Sequence, residues 1–205
     1  MLTLGDTLRA VTTADGAAPH PASWPVGARS RLLAAMAGAA TARGFVQTSV
    51  DDVLAGARAS RRTFYVHFEN REDCLAAAHD AVRRDALHAL RSAEPDLDAS
   101  LDRLLRYFAA WPAHAHLAIT EIIALGPPGV ARLERLAGDV AAHLGRCIAD
   151  PPARAEDALT ADDLAQVRVA ALFRLVQHRV NSGRAASLPA LAPVLARAIR
   201  PAITV

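Results

Sequence analysis

The sequence predicts an all-α fold. Apolar residues make up 52% of the 205 residues and aromatic ones only 4%, so alanine and leucine, both strong helix formers, carry the apolar content. Apolar positions recur at spacings of three and four through most of the chain, the period of an amphipathic helix. Helix-capping side chains stand ahead of several of these runs: Ser49 with Asp52, Ser60, Asn70 with Asp73, and Thr160 with Asp163. About nine helices follow, divided between a small three-helix head and a larger helical body.

Taken in order, residues 1–28 hold Pro19, Pro21 and Pro25 among Thr, Gly and Ala without sustained periodicity, which predicts a flexible arm. It is either a tail without a role or a lead-in whose end, marked by Arg29 and Arg31, reaches an outside partner. A first helix runs from about Ser30 to Arg43, with Leu32, Leu33, Met36 and Ala40 inward and Gly44 as its stop. Val50, Val53 and Leu54 mark a short second helix, and a turn at Ala57 to Ala59 leads to a third, capped by Ser60. There Phe64 and Phe68, four apart, pack inward, which leaves Arg61, Arg62, Thr63, Tyr65 and His67 to an outside partner.

Asn70 opens a long helix through Leu75, Val82, Leu87 and Leu90 to Pro95. The next, Leu97 to Trp111, turns Leu101, Leu104, Leu105 and Phe108 inward and is broken by Pro112. Ala113 to Leu125 is apolar nearly all round and is expected to be a central buried helix ended by Gly126-Pro127-Pro128-Gly129. An amphipathic helix over about Val130 to Ala149 and a loop at Pro151-Pro152 follow. The helix from Thr160 to about Ser182 carries two apolar stripes on opposite sides: Leu164, Val167, Ala171 and Leu175, and Val169, Leu172, Phe173, Val176 and Val180. Two apolar faces need two partners, one being the chain's own body, with the other face left for a further partner such as a second subunit. A last helix, about Leu188 to Ile199, is bent or restarted at Pro193.

The net charge of +2 says little about partners, but its distribution is uneven. Arg29 to Glu72 holds seven arginines against four acids, leaving 16 of the 23 basic residues against 17 of the 21 acids elsewhere. All 23 basic residues are arginine, for which a GC-rich coding sequence is explanation enough. No apolar run approaches the roughly 20 residues of a membrane span, so no membrane partner and a cytoplasmic location are expected. Cys74 and Cys147 make neither a disulfide framework nor a metal-type pair.

A helix N-terminus favours anions through its unpaired N–H groups and its dipole, and Arg61 and Arg62 strengthen that preference for phosphate. Arginine also pairs bidentately with guanine in a major groove. From Ser60 to Glu72 the pattern S-x-R-T-F-Y-x-H-F-x-N-R-E resembles the recognition helix and following helix start of the TetR family of ligand-responsive regulators, and the likeness extends upstream through Thr48-Ser49-Val50 and Gly44. That resemblance implies a DNA-binding head at 29–75, a ligand-binding and dimerising body at 76–205, a homodimer, a palindromic double-stranded operator and a small-molecule effector that releases a repressor. Arg58 stands where the family usually has glycine, so an arginine must take a left-handed backbone at a cost of about 1 kcal/mol, or the turn differs. Ala40 and Ala59 replace larger family residues and leave the small core underfilled.

The residues expected at DNA are Arg61, Arg62 and Thr63 for bases, Thr48, Tyr65, His67 and Arg71 for phosphates, with Arg29, Arg31 and Ser60 beside them. A body pocket is expected from Tyr107, Trp111, His114, Glu121, Phe173 and Gln177, apolar with few polar groups. Glu121, a carboxylate on an apolar segment, calls for a partner, an arginine or a ligand. His114 and His116 lie two apart and point to different helix faces, so neither metal nor cofactor is expected. Without a nucleophile elbow or a phosphate loop, an enzyme is not expected. The alternative function is a helical ligand-binding or interaction protein that does not read DNA sequence.

Overall fold

The computed structural model describes residues 24, 26–91, 96–148 and 160–200, so the expected flexible arm lies almost wholly outside the described residues. Within them are nine α-helices and no strand. These are α1 (Ala28–Arg43), α2 (Val50–Ala57), α3 (Arg61–His67), α4 (Arg71–Arg91), α5 (Leu97–Ala110), α6 (Pro112–Ile119), α7 (Pro127–Cys147), α8 (Ala161–Asn181) and α9 (Ala192–Ile199). Short 3-10 turns at Phe45–Gln47 and Glu121–Leu125 follow α1 and α6, and two more precede α9.

Helix starts follow from local chemistry. At α2 the Asp52 N–H donates to Ser49 Oγ (3.2 Å) while Ser49 N–H donates to the Asp52 carboxylate (2.8 Å), a full capping box. Thr160 and Asp163 repeat it at α8. Ser60 Oγ accepts from Thr63 N–H at α3, and Asn70 Oδ1 from Asp73 N–H at α4. Gly44 ends α1 at φ 81, a conformation that costs glycine least.

The three head helices enclose Leu32, Leu33, Met36, Val53, Leu54, Phe64 and Phe68, all buried. α4 carries this core onward through Leu75, Val82, Leu87 and Leu90 into the body, where it packs on α5 and α7. Arg83 on α4 donates to Asp139 on α7 (Nε, 2.7 Å) and fixes that pair.

Two expected elements differ. The single buried helix over 113–125 is broken: α6 stops at Ile119, the chain tightens into the 3-10 turn, and Ile123 and Ala124 are exposed. α7 accordingly begins at Pro127, earlier than the spacing suggested, because two prolines fit the first turn, where their missing N–H groups would have no partner. Gly129 allows this packing, since a Cβ there would lie 1.9 Å from the Ile122 carbonyl oxygen.

The two stripes of α8 separate as the spacing predicts. Val169, Leu172, Phe173, Val176 and Val180 are buried, whereas Leu164 (38%), Val167 (59%) and Leu175 (37%) are exposed. α9 restarts with Pro193 in its first turn and leaves Val194 exposed. Cys74 and Cys147 are free thiols.

Arg58 takes the left-handed conformation at φ 48, ψ 51 as the C-cap of α2, so the turn keeps its form despite the side chain. Arg58→Gly is therefore expected to stabilise the chain by about 0.5–1 kcal/mol, after the greater freedom of glycine in the unfolded state is deducted. Urea unfolding monitored by circular dichroism measures it; an unchanged or lower midpoint would contradict the strain.

Candidate nucleic-acid interface and its anchorage

The second helix of the helix-turn-helix, α3, is oriented by its aromatic residues. Phe64 and Phe68 are buried at a ring separation of 5.5 Å. Their burial turns Ser60, Arg61, Arg62, Tyr65 and His67 to solvent and leaves Thr63 half-buried. The face is rich in hydrogen-bond donors at a helix N-terminus, where the dipole adds to the attraction for anions.

The arginines of this surface differ in state. Arg61 Nη2 contacts both oxygens of Asp51 at 2.6 and 2.7 Å. Arg43 pairs with Asp52 at 2.5 Å. Arg62 has no ion pair or hydrogen bond among the described residues. Val66, 71% exposed, shares the face of Arg62 one turn on, a feature that the four-residue spacing held and the sequence reading passed over.

Other expected DNA residues are used inside the fold. Thr48 is fully buried and its hydroxyl donates to the Gly44 carbonyl at 2.9 Å, so it presents nothing to a phosphate. Arg71 Nη1 donates to the carbonyls of Phe45 (3.3 Å), Val46 (3.3 Å) and Thr48 (2.8 Å), and its guanidinium lies 4.8 Å from the Phe45 ring centre. Arg31 is half-buried and donates from Nε to the Ala57 carbonyl at the end of α2 (3.2 Å). Arg29 stays exposed above the Phe68 ring.

The turn clamped by Arg71 is also where the head meets the body. Glu121 has no arginine partner among the described residues: Oε2 accepts the Phe45 N–H at 2.6 Å, and Oε1 lies 3.1 Å from His116 Nε2. Burial pushes the His116 imidazole below its ordinary pKa, against the opposing pull of the Glu121 charge. A neutral ring that donates from Nε2 fits this pairing. Beside it Gln177 of α8 donates to the Thr120 hydroxyl (3.2 Å); the Thr41 hydroxyl of α1 donates to the Ala37 carbonyl of its own helix (2.8 Å) and lies 3.4 Å from the Ala113 carbonyl.

The residues expected to form one pocket are thus divided. Tyr107, Trp111 and His114 cluster, with the Tyr107 hydroxyl 2.9 Å from His114 Nδ1. Phe173 is a buried core residue, and Glu121 and Gln177 belong to the head–body joint. A cleft of about 440 Å³ opens at that joint instead, lined by Phe45, Arg71, Ala76, Leu125, Pro128 and Arg132 among others. His114 and His116 face different partners, and no group of three His, Cys, Asp or Glu among the described residues is placed to hold a metal.

A helix-turn-helix head with an anion-seeking second helix, set on an all-helical body, defines the class of helix-turn-helix transcriptional regulators. Residues 32–78 match the model for bacterial regulatory proteins of the tetR family, so the head is of that family's type. Among solved structures it is similar to the fatty acid degradation regulator FadR from Bacillus halodurans (16% identity, 86% of this chain and 96% of that one, TM-score 0.70). FadR from Bacillus subtilis in complex with stearoyl-CoA is similar at 13% identity over 82% of this chain and 95% of that one, with a TM-score of 0.64. PfmR from Thermus thermophilus is similar at 20% identity over 82% of this chain and 96% of that one, with a TM-score of 0.59. At these identities the likeness is one of fold. No curated protein matches the sequence.

The lowered pKa of His116 gives a pH prediction. The unfolded imidazole takes a proton below about pH 6.5 while the folded one resists it, so stability is present above that pH and is lost as pH falls through it. His116→Gln keeps a donor for Glu121 but does not titrate. Its urea midpoint is expected to fall less than that of the wild type between pH 7.5 and 5.5; an equal fall would exclude His116 as a source.

Proposed function

We propose that the chain is a homodimeric, ligand-responsive repressor that leaves a palindromic operator when a small molecule binds its body. The head is assigned to residues 29–75 and the body to 76–205, with action in the cytoplasm, where its DNA is. The observation that carries this reading is the exposed start of α3: an unpaired Arg62 next to Arg61 and Thr63 at a helix N-terminus, on a TetR-family head. Arg61, Arg62 and Thr63 are assigned to base edges, and Ser60, Tyr65, His67 and Arg29 to phosphates. Arg31, Thr48 and Arg71 support the surface from behind, through the backbone atoms they bind.

Dimerisation is proposed through the outward stripe of α8, Leu164, Val167, Ala171 and Leu175, continued by Val194 of α9. Exposed apolar residues in such a row are disfavoured in a monomer, and a second copy of the same face would cover them. Two heads about 34–36 Å apart would then enter successive major grooves. Fold similarity to a FadR crystallised with stearoyl-CoA supports a body that accepts a small molecule, without naming the one this chain takes. The effector acts by population shift, since it binds more tightly to a conformer whose heads no longer match the operator.

Two experiments test this reading. Genomic fragments selected by the purified protein are expected to share a palindrome, and fluorescence anisotropy on them to show affinity falling steeply with salt. Arg62→Ala is expected to weaken binding by about tenfold or more, on the order of 1–3 kcal/mol, and Tyr65→Ala to weaken it less. Unselected fragments and unchanged variants would end the sequence-reader assignment. In sedimentation velocity, Val167→Glu is expected to yield monomers with native helical content; a persistent dimer would move the interface elsewhere.

A further inference from the structure

The residue that completes the cluster of Tyr107, Trp111 and His114 comes from outside the body. Trp24, from the segment that leads into the head, is 5% exposed. Its indole lies on the His114 ring at a centroid distance of 5.2 Å and an interplanar angle of 7°, and Trp111 stacks with the same imidazole at 5.4 Å and 16°. The indole N–H donates to the carboxylate of Asp85 on α4. Burial, assisted by the nearby Asp85 charge, raises the pKa of the Tyr107 hydroxyl, which stays protonated and holds His114 through Nδ1. Asp85, Tyr107, Trp111 and His114 are all body residues; the side chain filling the space among them is tethered by a short link.

Between Trp24 and the start of α1 at Ala28, Val26 is 99% exposed. The surroundings of the indole match its chemistry: a flat π surface on one side and an anionic acceptor for its ring N–H at the edge.

We infer that Asp85, Tyr107, Trp111 and His114 form a binding site for a planar aromatic heterocycle with a ring N–H donor, of the indole class, and that Trp24 is its built-in competitor. A free ligand must displace Trp24, which is present at the high effective concentration of a short tether, so apparent affinity in the wild type is lowered by the fraction of sites that Trp24 fills. Displacement releases the leading end of α1. Binding at the site stands on its own geometry; only its effect on DNA rests on the function proposed above.

The test uses the full chain and indole itself, followed by calorimetry, with benzothiophene as an isostere that lacks the N–H. Trp24→Ala is expected to bind one indole per chain at least tenfold more tightly than the wild type, with Trp24→Phe, which stacks but cannot donate, in between. Benzothiophene is expected to bind Trp24→Ala at least tenfold more weakly than indole does, because the charge-assisted bond to Asp85 is lost. Equal indole affinity in wild type and a Trp24→Ala variant of native helical content would overturn the proposal, as would equal affinity for the two probes. If Trp24→Ala does not fold, Trp24→Phe decides, and a variant no tighter than wild type overturns the inference. Operator affinity read in parallel separates the two proposals. Indole bound as expected with DNA binding unchanged keeps the site and ends ligand release through it, while absent indole binding ends the site and leaves the Arg62→Ala result to judge the DNA reader.

Discussion

The 3-10 turn Phe45–Gln47 is held from two sides by opposite charges, and the placement of the head depends on that. Glu121 of the body accepts the Phe45 N–H, while Arg71, at the start of α4, binds the carbonyls of Phe45, Val46 and Thr48. The turn's backbone dipoles lie between an anion and a cation. Hydrogen bonds to charged groups contribute roughly 1.5–3 kcal/mol each, and removing either partner leaves a part-buried group unsatisfied. The same turn joins α1 to α2, so whatever holds it also sets where α3 points. The 3-10 turn bearing Glu121 makes this contact possible: a continued α-helix would carry the carboxylate round with the helical period.

The outer surface of the head works on a related principle. In the free protein the carboxylates at the start of α2 occupy two of the surface arginines, Asp51 holding Arg61 and Asp52 holding Arg43. These are exposed pairs, worth about 1 kcal/mol or less each. On the function proposed above, a phosphate or a guanine edge would replace the carboxylate at little cost. Arg62 has no such restraint among the described residues and is the immediate charge on that face.

What could be seen in the sequence was local. Ser49, Ser60, Asn70 and Thr160 each bind an N–H group three residues away, so their spacing predicts the helix starts, and the stripes of α8 needed only the helical period. Arg58 showed itself by standing at a turn that favours glycine. The contacts of Thr48, Arg71 and Glu121 were not legible for one shared reason: each binds backbone atoms of the turn region Gly44 to Thr48, up to 76 residues away in sequence. A polar side chain near a surface motif looks available until the fold supplies a carbonyl or an N–H for it. The ligand-type residues divided in the same way. Tyr107, Trp111 and His114 are close in sequence and came together, whereas Gln177 reaches Thr120, next to Glu121, only because α8 packs on α6.

The composition of α1 makes these few directed contacts decisive. Four of its nine buried residues are alanine, which lets helices approach closely but contributes little apolar area per residue. Orientation falls more to the groups that pin the helix near each end: Trp24 against His114 before its start, and Phe45 against Glu121 after its stop. Every one of those partners lies on α6 or on the turn that ends it. A shift of this one short segment reaches both ends of α1 at once, and Gln177 ties the same segment to α8, the helix with the outward apolar stripe.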